Sequence, residues 1–266
     1  MIGHLKLVCS LREDGVSYLR EQSFRAPMHL SKPHFDEGAL VVNLVNPTAG
    51  IFDDDHIALE ATVEEQARLV LTTPASSRVF RSRKGDVAHV TQTLRVAEGG
   101  MLEYFPEPFI PHAGARYHQK NDIHVAAGAS LMFFEWLAPG RVTSGEVFEF
   151  DELQWDTDVW SGGALAARER YTLSRVGDSL NSLLLVSETA HYLGCFVFGL
   201  ATFPQAEADA LTSEDVYIGC GPLAVGGGWT IKAVCRDAVA ARRTMKRLRE
   251  MMYEAMGRAL PTLGRF

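Results

Sequence analysis

The sequence predicts a mainly β fold with few helices, in which β-sheets stack in layers like the turns of a helical scaffold. Segments rich in β-branched residues, with alternating apolar positions, occupy most of the chain. Helical spacing becomes convincing only near the C-terminus. A short sequence pattern also recurs between neighbouring predicted strands, as expected for stacked structural units.

Breaks that contain Gly or Pro separate the predicted strands. Residues 68–73 and 87–96 are the clearest strands, and the second alternates, so that Val90, Leu94 and Val96 fall on one face. Further strands are predicted at residues 123–125, 131–137, 183–186 and 195–200. The chain therefore offers enough strand to build at least one extensive sheet.

The recurring pattern is V-x-x-x-small-x-L. Its copies are Val63-Ala67-Leu69, Val96-Gly100-Leu102 and Val125-Ala129-Leu131. Such a pattern is typical of a turn that leads into a buried strand, and units of this kind can stack so that each layer buries the apolar face of the next. The pattern favours stacked layers, with a β-sandwich as the alternative, because antiparallel folds reuse similar strand–turn–strand patterns.

One long helix is predicted at about residues 237–260. Asp237 is a suitable N-cap and Pro261 a suitable stop. The apolar residues at helical spacing are Met245, Leu248, Met252, Ala255 and Met256. A shorter helix is predicted at residues 206–211, after Pro204. We interpret the basic residues of the long helix as a solvated face.

The composition is that of an ordinary globular chain of 266 residues with a net charge of −7. Because no linker or shift in composition divides it, we predict a single domain over residues 1–266. The negative balance argues against nucleic-acid binding. No apolar run is long enough for a membrane span and no signal peptide is apparent, so a cytoplasmic location is expected.

Two groups of residues suggest metal ligands. Asp53, Asp54 and Asp55 form an acidic cluster beside His56, but acidic turns are often only solvated. Histidines recur every six residues at His112, His118 and His124. Six residues of strand span about 20 Å, too far for one ion, so we interpret these three as ordinary surface or core histidines.

Glu103 and Glu135 lie inside apolar predicted strands, and Arg141 and Glu146 follow. A carboxylate in such a strand either faces solvent or is buried with a partner, because burying it alone is costly. Paired glutamates can also act as acid and base in a glycosidase. A β-rich hydrolase that uses Glu103, Glu135 and Glu146 is therefore one functional hypothesis.

Five segments occur in an order that resembles the urease accessory protein D family, UreD, also called UreH. They are residues 46–50 (NPTAG), 53–55 (DDD), 72–82 (TTPASSRVFRS), 92–106 (QTLRVAEGGMLEYFP) and 140–146 (GRVTSGE). The resemblance runs from the N-terminal strands to about residue 175. It implies a non-catalytic scaffold of stacked β-sheets that helps to load nickel into urease.

The resemblance also implies partners and a role for the acidic residues. The expected partners are UreF, the GTPase UreG and the urease apoprotein, with no tightly bound cofactor and with Ni²⁺ in transit through a polar internal tunnel. Carboxylates hold nickel less tightly than clustered thiolates or imidazoles and so can release it. We therefore predict a transient nickel path along Asp55, Glu103, Glu135 and Glu146, with Arg141 orienting a glutamate. An adaptor unrelated to metal remains a third hypothesis.

Overall fold

The computed structural model describes residues 1–174 and 187–263. Strands hold 50% of the residues and helices 10%, which confirms the predicted mainly β fold with few helices. The strands form a seven-stranded and an eleven-stranded sheet. Apolar side chains from both sheets pack together between them.

The strands are numbered in chain order. The first nine are β1 (Ile2–Leu11), β2 (Ser17–Arg25), β3 (His29–Leu30), β4 (His34–Asp36), β5 (Ala39–Val45), β6 (His56–Val63), β7 (Arg68–Thr72), β8 (Ser77–Val79) and β9 (Ala88–Val96). The others are β10 (Met101–Phe105), β11 (Phe109–Pro111), β12 (Arg116–Val125), β13 (Ser130–Leu137), β14 (Glu152–Ser161), β15 (Ala164–Leu173), β16 (His191–Phe198), β17 (Val216–Pro222) and β18 (Trp229–Cys235). The helices are α1 (Gln205–Asp209), α2 (Ala238–Ala255) and a 3-10 turn at Val142–Ser144.

The chain crosses repeatedly from one sheet to the other. The seven-stranded sheet has the order β15-β14-β12-β9-β6-β1-β2, and the main path of the other sheet is β17-β18-β16-β13-β10-β7-β5-β3. Neighbouring strands β6, β9 and β12 run parallel, as do β7, β10 and β13. The units β6–β7, β9–β10 and β12–β13 are therefore successive layers, each stacked on the one before.

The recurring sequence pattern marks the register of this stack. Its three valines pair with one another in adjacent strands of the first sheet, and its three leucines do so in the second. All six side chains are buried. The stacked arrangement is thus confirmed, because residues at equivalent positions of the pattern occupy equivalent places in successive layers.

The small residue of the pattern lets the turns stack closely. The amide of Ala97 donates to the carbonyl oxygen of Val63, and the amide of Ser130 donates to that of Gly100, both at 2.9 Å. A Cβ atom on Gly100 would lie 2.9 Å from the carbonyl oxygen of Glu64. A larger residue at this position would therefore force neighbouring backbone to move.

Apolar side chains of the described residues form three clusters. Two lie between the sheets, one around Leu94 and Phe133 and the other around Tyr117 and Trp155. The third lies between the outer face of the eleven-stranded sheet and α2, where Met252 is fully buried. The two inner clusters leave a space between them in which the inward-facing side chains are polar.

The start of α2 agrees with the sequence analysis. The side chain of Asp237 accepts hydrogen bonds from the amides of Val239 and Ala240 at 2.9 and 2.8 Å. These bonds satisfy two of the amides that the first turn of a helix leaves without partners.

The end of α2 comes earlier than the predicted position near Leu260. The helix ends at Ala255, and Gly257 follows with a φ of +61°. The amide of Gly257 donates to the carbonyl oxygen of Glu254 at 2.9 Å. A left-handed glycine just past the last turn is a common helix stop, so Gly257 ends the helix before Pro261 is reached.

A buried ion pair fixes α2 to the sheet. Glu103 on β10 accepts hydrogen bonds from Nε and Nη2 of Arg249, the latter at 2.9 Å, and from the Tyr253 hydroxyl at 2.8 Å. Arg249 Nη1 also donates to the carbonyl oxygen of Pro261 at 2.8 Å. The side chains of Glu103 and Arg249 are 0% and 7% exposed. A buried pair requires such complete hydrogen bonding to offset its loss of hydration.

One further predicted helix and one further predicted strand are present in the structure. The short helix expected at residues 206–211 is α1, and the strand expected at 195–200 falls largely within β16. The strand expected at 183–186 lies outside the described residues. Within residues 1–174 and 187–263, no helix is long and apolar enough to cross a membrane.

Replacing Glu103 tests whether its ion pair stabilises the fold. Glu103→Gln leaves the buried Arg249 guanidinium without a counter-charge and should lower the free energy of unfolding by about 3–5 kcal/mol. Urea unfolding followed by tryptophan fluorescence measures this change. Lys246→Gln is the control, since Lys246 is exposed and lies 3.9 Å from Glu250, and its loss should cost less than about 0.5 kcal/mol. An equal loss of unfolding free energy in the two variants would show that the Glu103–Arg249 ion pair does not stabilise the fold.

Candidate functional site: a polar layer between the sheets

A layer of polar side chains crosses the interior between the two inner apolar clusters. On β12 the inward-facing residues are Tyr117, Gln119, Asn121 and Ile123, all buried. The Tyr117 hydroxyl donates to Gln119 Oε1 at 2.5 Å, and Gln119 Nε2 donates to Asn121 Oδ1 at 2.8 Å. Because alternate residues of a strand share a face, this chain of hydrogen bonds runs along the inside of the sheet.

Glu135 lies at the centre of the polar layer. It projects from β13 into the space between the sheets and is 4% exposed. Its Oε1 atom accepts hydrogen bonds from Trp155 Nε1 at 2.8 Å, Asn121 Nδ2 at 3.2 Å and Thr157 Oγ1 at 3.3 Å. Three donors from the opposite sheet therefore hold one carboxylate oxygen in place.

The second oxygen of Glu135 has no such set of donors. Its Oε2 atom is buried without a hydrogen-bond partner in the described part of the chain. Beside it is Gly194, where a Cβ atom would lie 3.1 Å from Oε2 and 3.2 Å from Lys232 Nζ. Lys232 in turn pairs with Glu169 on β15. The polar layer thus continues from Glu135 to an ion pair that joins the two sheets.

The protonation of Glu135 is set mainly by its burial. Loss of hydration raises the pKa of its carboxyl group to about 7, against the opposing effect of the nearby Lys232 ammonium. The carboxyl group therefore exchanges its proton near neutral pH.

A cavity of about 310 Å³ leads to Glu135. Its inner wall includes Gln92 and Gln119 together with Glu135, all buried, and its outer wall includes the exposed residues Ala49 and Ala75. The Oε1 atom of Gln92 is another buried acceptor without a partner within the described ranges. The cavity therefore connects the protein surface to Glu135 and Gln92, each of which has one oxygen atom without a partner among the described residues.

Two of the sequence motifs build the mouth of this cavity. In residues 46–50, Asn46 Oδ1 accepts hydrogen bonds from the amide and hydroxyl of Thr48 at 3.0 and 2.6 Å. At Gly50 a Cβ atom would lie 2.6 Å from the Phe80 ring and 2.8 Å from the Arg78 carbonyl oxygen. The first motif is thus a tight turn that rests against the segment 72–82, and this contact explains its glycine.

Asp55, the first of the predicted site residues, stabilises a turn. It is 1% exposed. Its Oδ2 atom accepts a hydrogen bond from the amide of Phe52 at 2.8 Å, and its Oδ1 atom lies 2.6 Å from the Met1 nitrogen. Asp55 does not line the cavity that leads to Glu135.

Glu103 and Glu135 point to opposite faces of one sheet. Glu103 pairs with Met132 of the adjacent strand, and Met132 is an odd number of residues from Glu135. Because side chains alternate between the faces of a strand, Glu103 faces α2 whereas Glu135 faces the interior. The two carboxylates therefore belong to different environments.

Glu146 and Arg141 lie in a loop at the surface. Glu146 accepts hydrogen bonds from Arg141 Nε at 2.8 Å and from the amide of Ala113 at 3.1 Å. The hydrogen bond from Arg141 has the largest effect, and with that from Ala113 it holds the pKa of the Glu146 carboxyl group below its usual value. His112 lines the same surface cavity of about 760 Å³. The pair is separate from Glu135.

The structure therefore does not gather the predicted carboxylates at one point. Within residues 1–174 and 187–263, no group of three or more His, Cys, Asp or Glu side chains is arranged to hold a metal ion. His118 and His124 lie on β12, and His112 lies in the turn before it, so these three share no site. Of the predicted site residues, Glu135 is the one that faces the internal cavity.

Sequence reasoning missed most of the polar layer. Its other members are Gln92, Gln119, Asn121, Thr157, Glu169 and Lys232. A signal was present in the strands, since Gln92 interrupts the apolar alternation between Val90 and Leu94. The partnership of Lys232 with Glu169 had no local signal, because the two residues are far apart in the sequence.

Comparison with known proteins covers almost the entire chain. The family model described as UreD urease accessory protein matches residues 1–265. The match extends past residue 175, where the resemblance of the motifs ended, and includes α2.

Individual relatives agree with this match. The urease accessory protein UreD of Opitutus terrae is 37% identical over 266 residues, covering 96% of each chain. UreD of Deinococcus radiodurans is 27% identical over 97% of this chain and 92% of its own length. UreH of Helicobacter hepaticus is 24% identical over 86% of this chain and 90% of its own. The resemblance inferred from the motifs is confirmed.

The raised pKa of Glu135 predicts how stability depends on pH. Because the folded protein holds this proton more tightly than the unfolded chain, stability should fall as pH rises from the usual carboxyl pKa of 4.5 to about 7. Glu135→Gln stays neutral, so it should lose less stability over this range. Urea unfolding between about pH 5 and about pH 8 measures the difference.

Glu60→Gln is the matched control for this measurement. Glu60 lies on β6 and is exposed on the outer face of the sheet, so its variant should follow the pH dependence of the unmodified protein. Parallel curves for the unmodified protein and Glu135→Gln would contradict the assigned pKa shift.

Proposed function

Because this chain belongs to the UreD urease accessory protein family, we propose that it serves urease maturation as a cytoplasmic, non-catalytic scaffold for nickel insertion. In this proposal it acts in a complex with UreF and the GTPase UreG, and the complex docks on the urease apoprotein. The observation that carries the proposal is the buried Glu135 carboxyl group, which lines the inner wall of a cavity that reaches the surface and keeps one oxygen without a partner among the described residues.

The chemistry of the polar layer suits an ion in transit. The polar groups that line this cavity include amides and the carboxyl groups of Glu135 and Glu107, set among apolar side chains, rather than a set of imidazoles or thiolates. Oxygen donors of this kind bind nickel weakly enough to release it. When Ni²⁺ displaces the proton of Glu135, the neutral acid becomes a carboxylate, and re-protonation near neutral pH would favour release.

The remaining predicted site residues have other roles in this proposal. Asp55 holds a turn, Glu103 docks α2, and Glu146 with Arg141 fixes a surface loop. Both oxygens of each of these carboxylates accept hydrogen bonds within the chain, whereas Oε2 of Glu135 has no partner among the described residues. We therefore assign the nickel path to Glu135 and the polar layer around it, and treat the other three acids as structural.

The geometry gives no support to the alternative of a hydrolase that uses Glu103, Glu135 and Glu146. Glycosidase carboxyl groups lie about 5–10 Å apart and face the same sugar. Here Glu103 faces α2, Glu135 faces the space between the sheets, and Glu146 lies in a surface loop. No two of them share a cleft.

Replacing Glu135 tests the nickel path. Glu135→Gln keeps the shape of the side chain and the acceptor at Oε1 but removes the charge, so urease activation in cells should become several-fold slower. Urease activity and the nickel content of the purified urease, both at matched protein levels, measure the effect. Glu60→Gln on the outer face of the sheet should leave both unchanged.

Complex formation separates a path defect from a folding defect. Glu135→Gln should co-elute with UreF on size exclusion as fully as the unmodified chain does. Normal activation by Glu135→Gln would remove the proposed path, and loss of co-elution would assign Glu135 to structure instead. Failure of the unmodified chain to co-elute with UreF at micromolar concentration would contradict the scaffold itself.

A further inference from the structure

Three histidines form a ladder on the outer face of the seven-stranded sheet. His56 on β6 pairs in register with His89 on β9, and His89 pairs in register with His118 on β12. Their ring centroids are 5.0 Å apart in the first pair and 5.3 Å apart in the second. We call His56, His89 and His118 the histidine ladder.

The ladder follows the same repeat as the core. Each of its histidines stands seven residues before the valine of one copy of the V-x-x-x-small-x-L pattern. Seven is an odd number, so in each layer the histidine faces outward where the valine faces inward. The stacking that aligns the three valines therefore also aligns the three imidazoles, at the spacing of adjacent strands.

A carboxylate stands at each end of the ladder. Asp54 Oδ1 lies 3.4 Å from His56 Nε2, and Glu152 Oε1 lies 2.6 Å from His118 Nε2. The side chains of His56 and Asp54 are 53% and 75% exposed, and those of His118 and Glu152 are 28% and 26% exposed. The Asp54 end is therefore open to solvent, whereas at the other end Arg116 Nη2 also donates to Glu152 Oε2 at 2.5 Å.

We propose that the histidine ladder, with Asp54 and Glu152, binds a divalent transition-metal ion on the outer face of the sheet. Adjacent parallel strands hold paired side chains about 4.8 Å apart. Two neighbouring imidazoles can thus direct nitrogens at one ion about 2.1 Å from each. A carboxylate at either end supplies an oxygen ligand. Imidazole nitrogen with carboxylate oxygen suits Ni²⁺, Cu²⁺ and Zn²⁺ rather than Mg²⁺.

The ladder is not arranged around a single point before the ion arrives. In the described part of the chain no three such side chains converge, and the His89 and His118 rings are nearly perpendicular, at 88°. Rotation of these partly exposed rings about χ2 would bring their nitrogens together. This is a rearrangement of side chains alone, because the strand register already fixes the backbone spacing.

The site is distinct from the path proposed around Glu135. The histidine ladder lies on the outer face of the sheet. On each of its three strands, the residue after the histidine and every second residue from there to the valine are buried on the inner face. The sheet itself therefore lies between the ladder and the polar layer. Metal binding at the ladder does not depend on whether Glu135 takes part in nickel transfer.

Nickel binding to the full-length chain without a polyhistidine tag tests the proposal. Isothermal titration with NiCl₂ at neutral pH should give a site that His89→Gln weakens by roughly tenfold or more, as removal of a ligand should. His124→Gln is the matched control. His124 is also on β12 and faces outward, but it stacks on Trp160 and bonds to Asp122 instead of joining the ladder.

Three further measurements make the outcome decisive. Ni²⁺ should raise the unfolding midpoint of the unmodified chain and of His124→Gln, but not that of His89→Gln. Cu²⁺ should bind more tightly than Ni²⁺, and Mg²⁺ at the same concentration should have no effect. Glu135→Gln should keep the ladder site, which separates it from the internal path.

Equal nickel affinity in the unmodified chain and in His89→Gln would overturn the proposal. So would an equal loss in His89→Gln and His124→Gln, because it would indicate binding to scattered surface histidines. If His89→Gln lowers the unfolding midpoint without metal and leaves nickel binding unchanged, the ladder only stacks to stabilise the sheet, and the proposal is again wrong.

Discussion

The in-register stacking of parallel layers is the constraint on which the rest of this structure depends. When strands β6, β9 and β12 pair without slippage, every position of one layer lies about 4.8 Å from the same position in the next. A valine column then fills the core, a column of small residues admits the turns, and a histidine column forms on the outside. A shift of one residue would exchange every side chain between core and solvent. Burial of the apolar columns therefore stabilises the strand register, and this register also aligns the polar side chains.

The same stacking would allow apolar residues throughout the interior, so the polar layer lowers the stability that the core could reach. Gln92, Asn121 and Thr157 occupy paired positions in three adjacent strands, where apolar residues would extend the two inner clusters into one. Burying a carboxyl group among them costs free energy unless it is hydrogen-bonded. The donors satisfy one oxygen of Glu135 and leave the other free within the described residues. Nearby Lys232 offsets part of this cost by its charge, and the polar layer therefore joins the two sheets through Glu135, Lys232 and Glu169.

Features that depend on neighbours in sequence could be predicted, and features that depend on distant partners could not. The repeat predicted both the strands and their stacking, and Asp237 predicted the start of α2, because each signal lies within a few residues. The role of Glu103 depends on Arg249, which is 146 residues away, and that of Lys232 on Glu169, which is 63 residues away. The six-residue spacing of His112, His118 and His124 follows one stretch of chain and brings no histidines together. His56, His89 and His118 occupy equivalent positions of the repeat, and strand pairing places them side by side.

The two polar features differ in a way that follows from the alternation of side chains in a strand. On the inner side of the sheet, the proposed path offers carboxyl and amide oxygens, from which a dication would leave readily. On the outer side, the proposed ladder offers neighbouring imidazoles, which would hold transition metals more strongly and bind hard ions poorly. The two sites would therefore differ in how long they hold an ion and in which metal ions they select. The two faces of one repeated layer would thus supply an inner site that binds a metal ion briefly and an outer site that retains it.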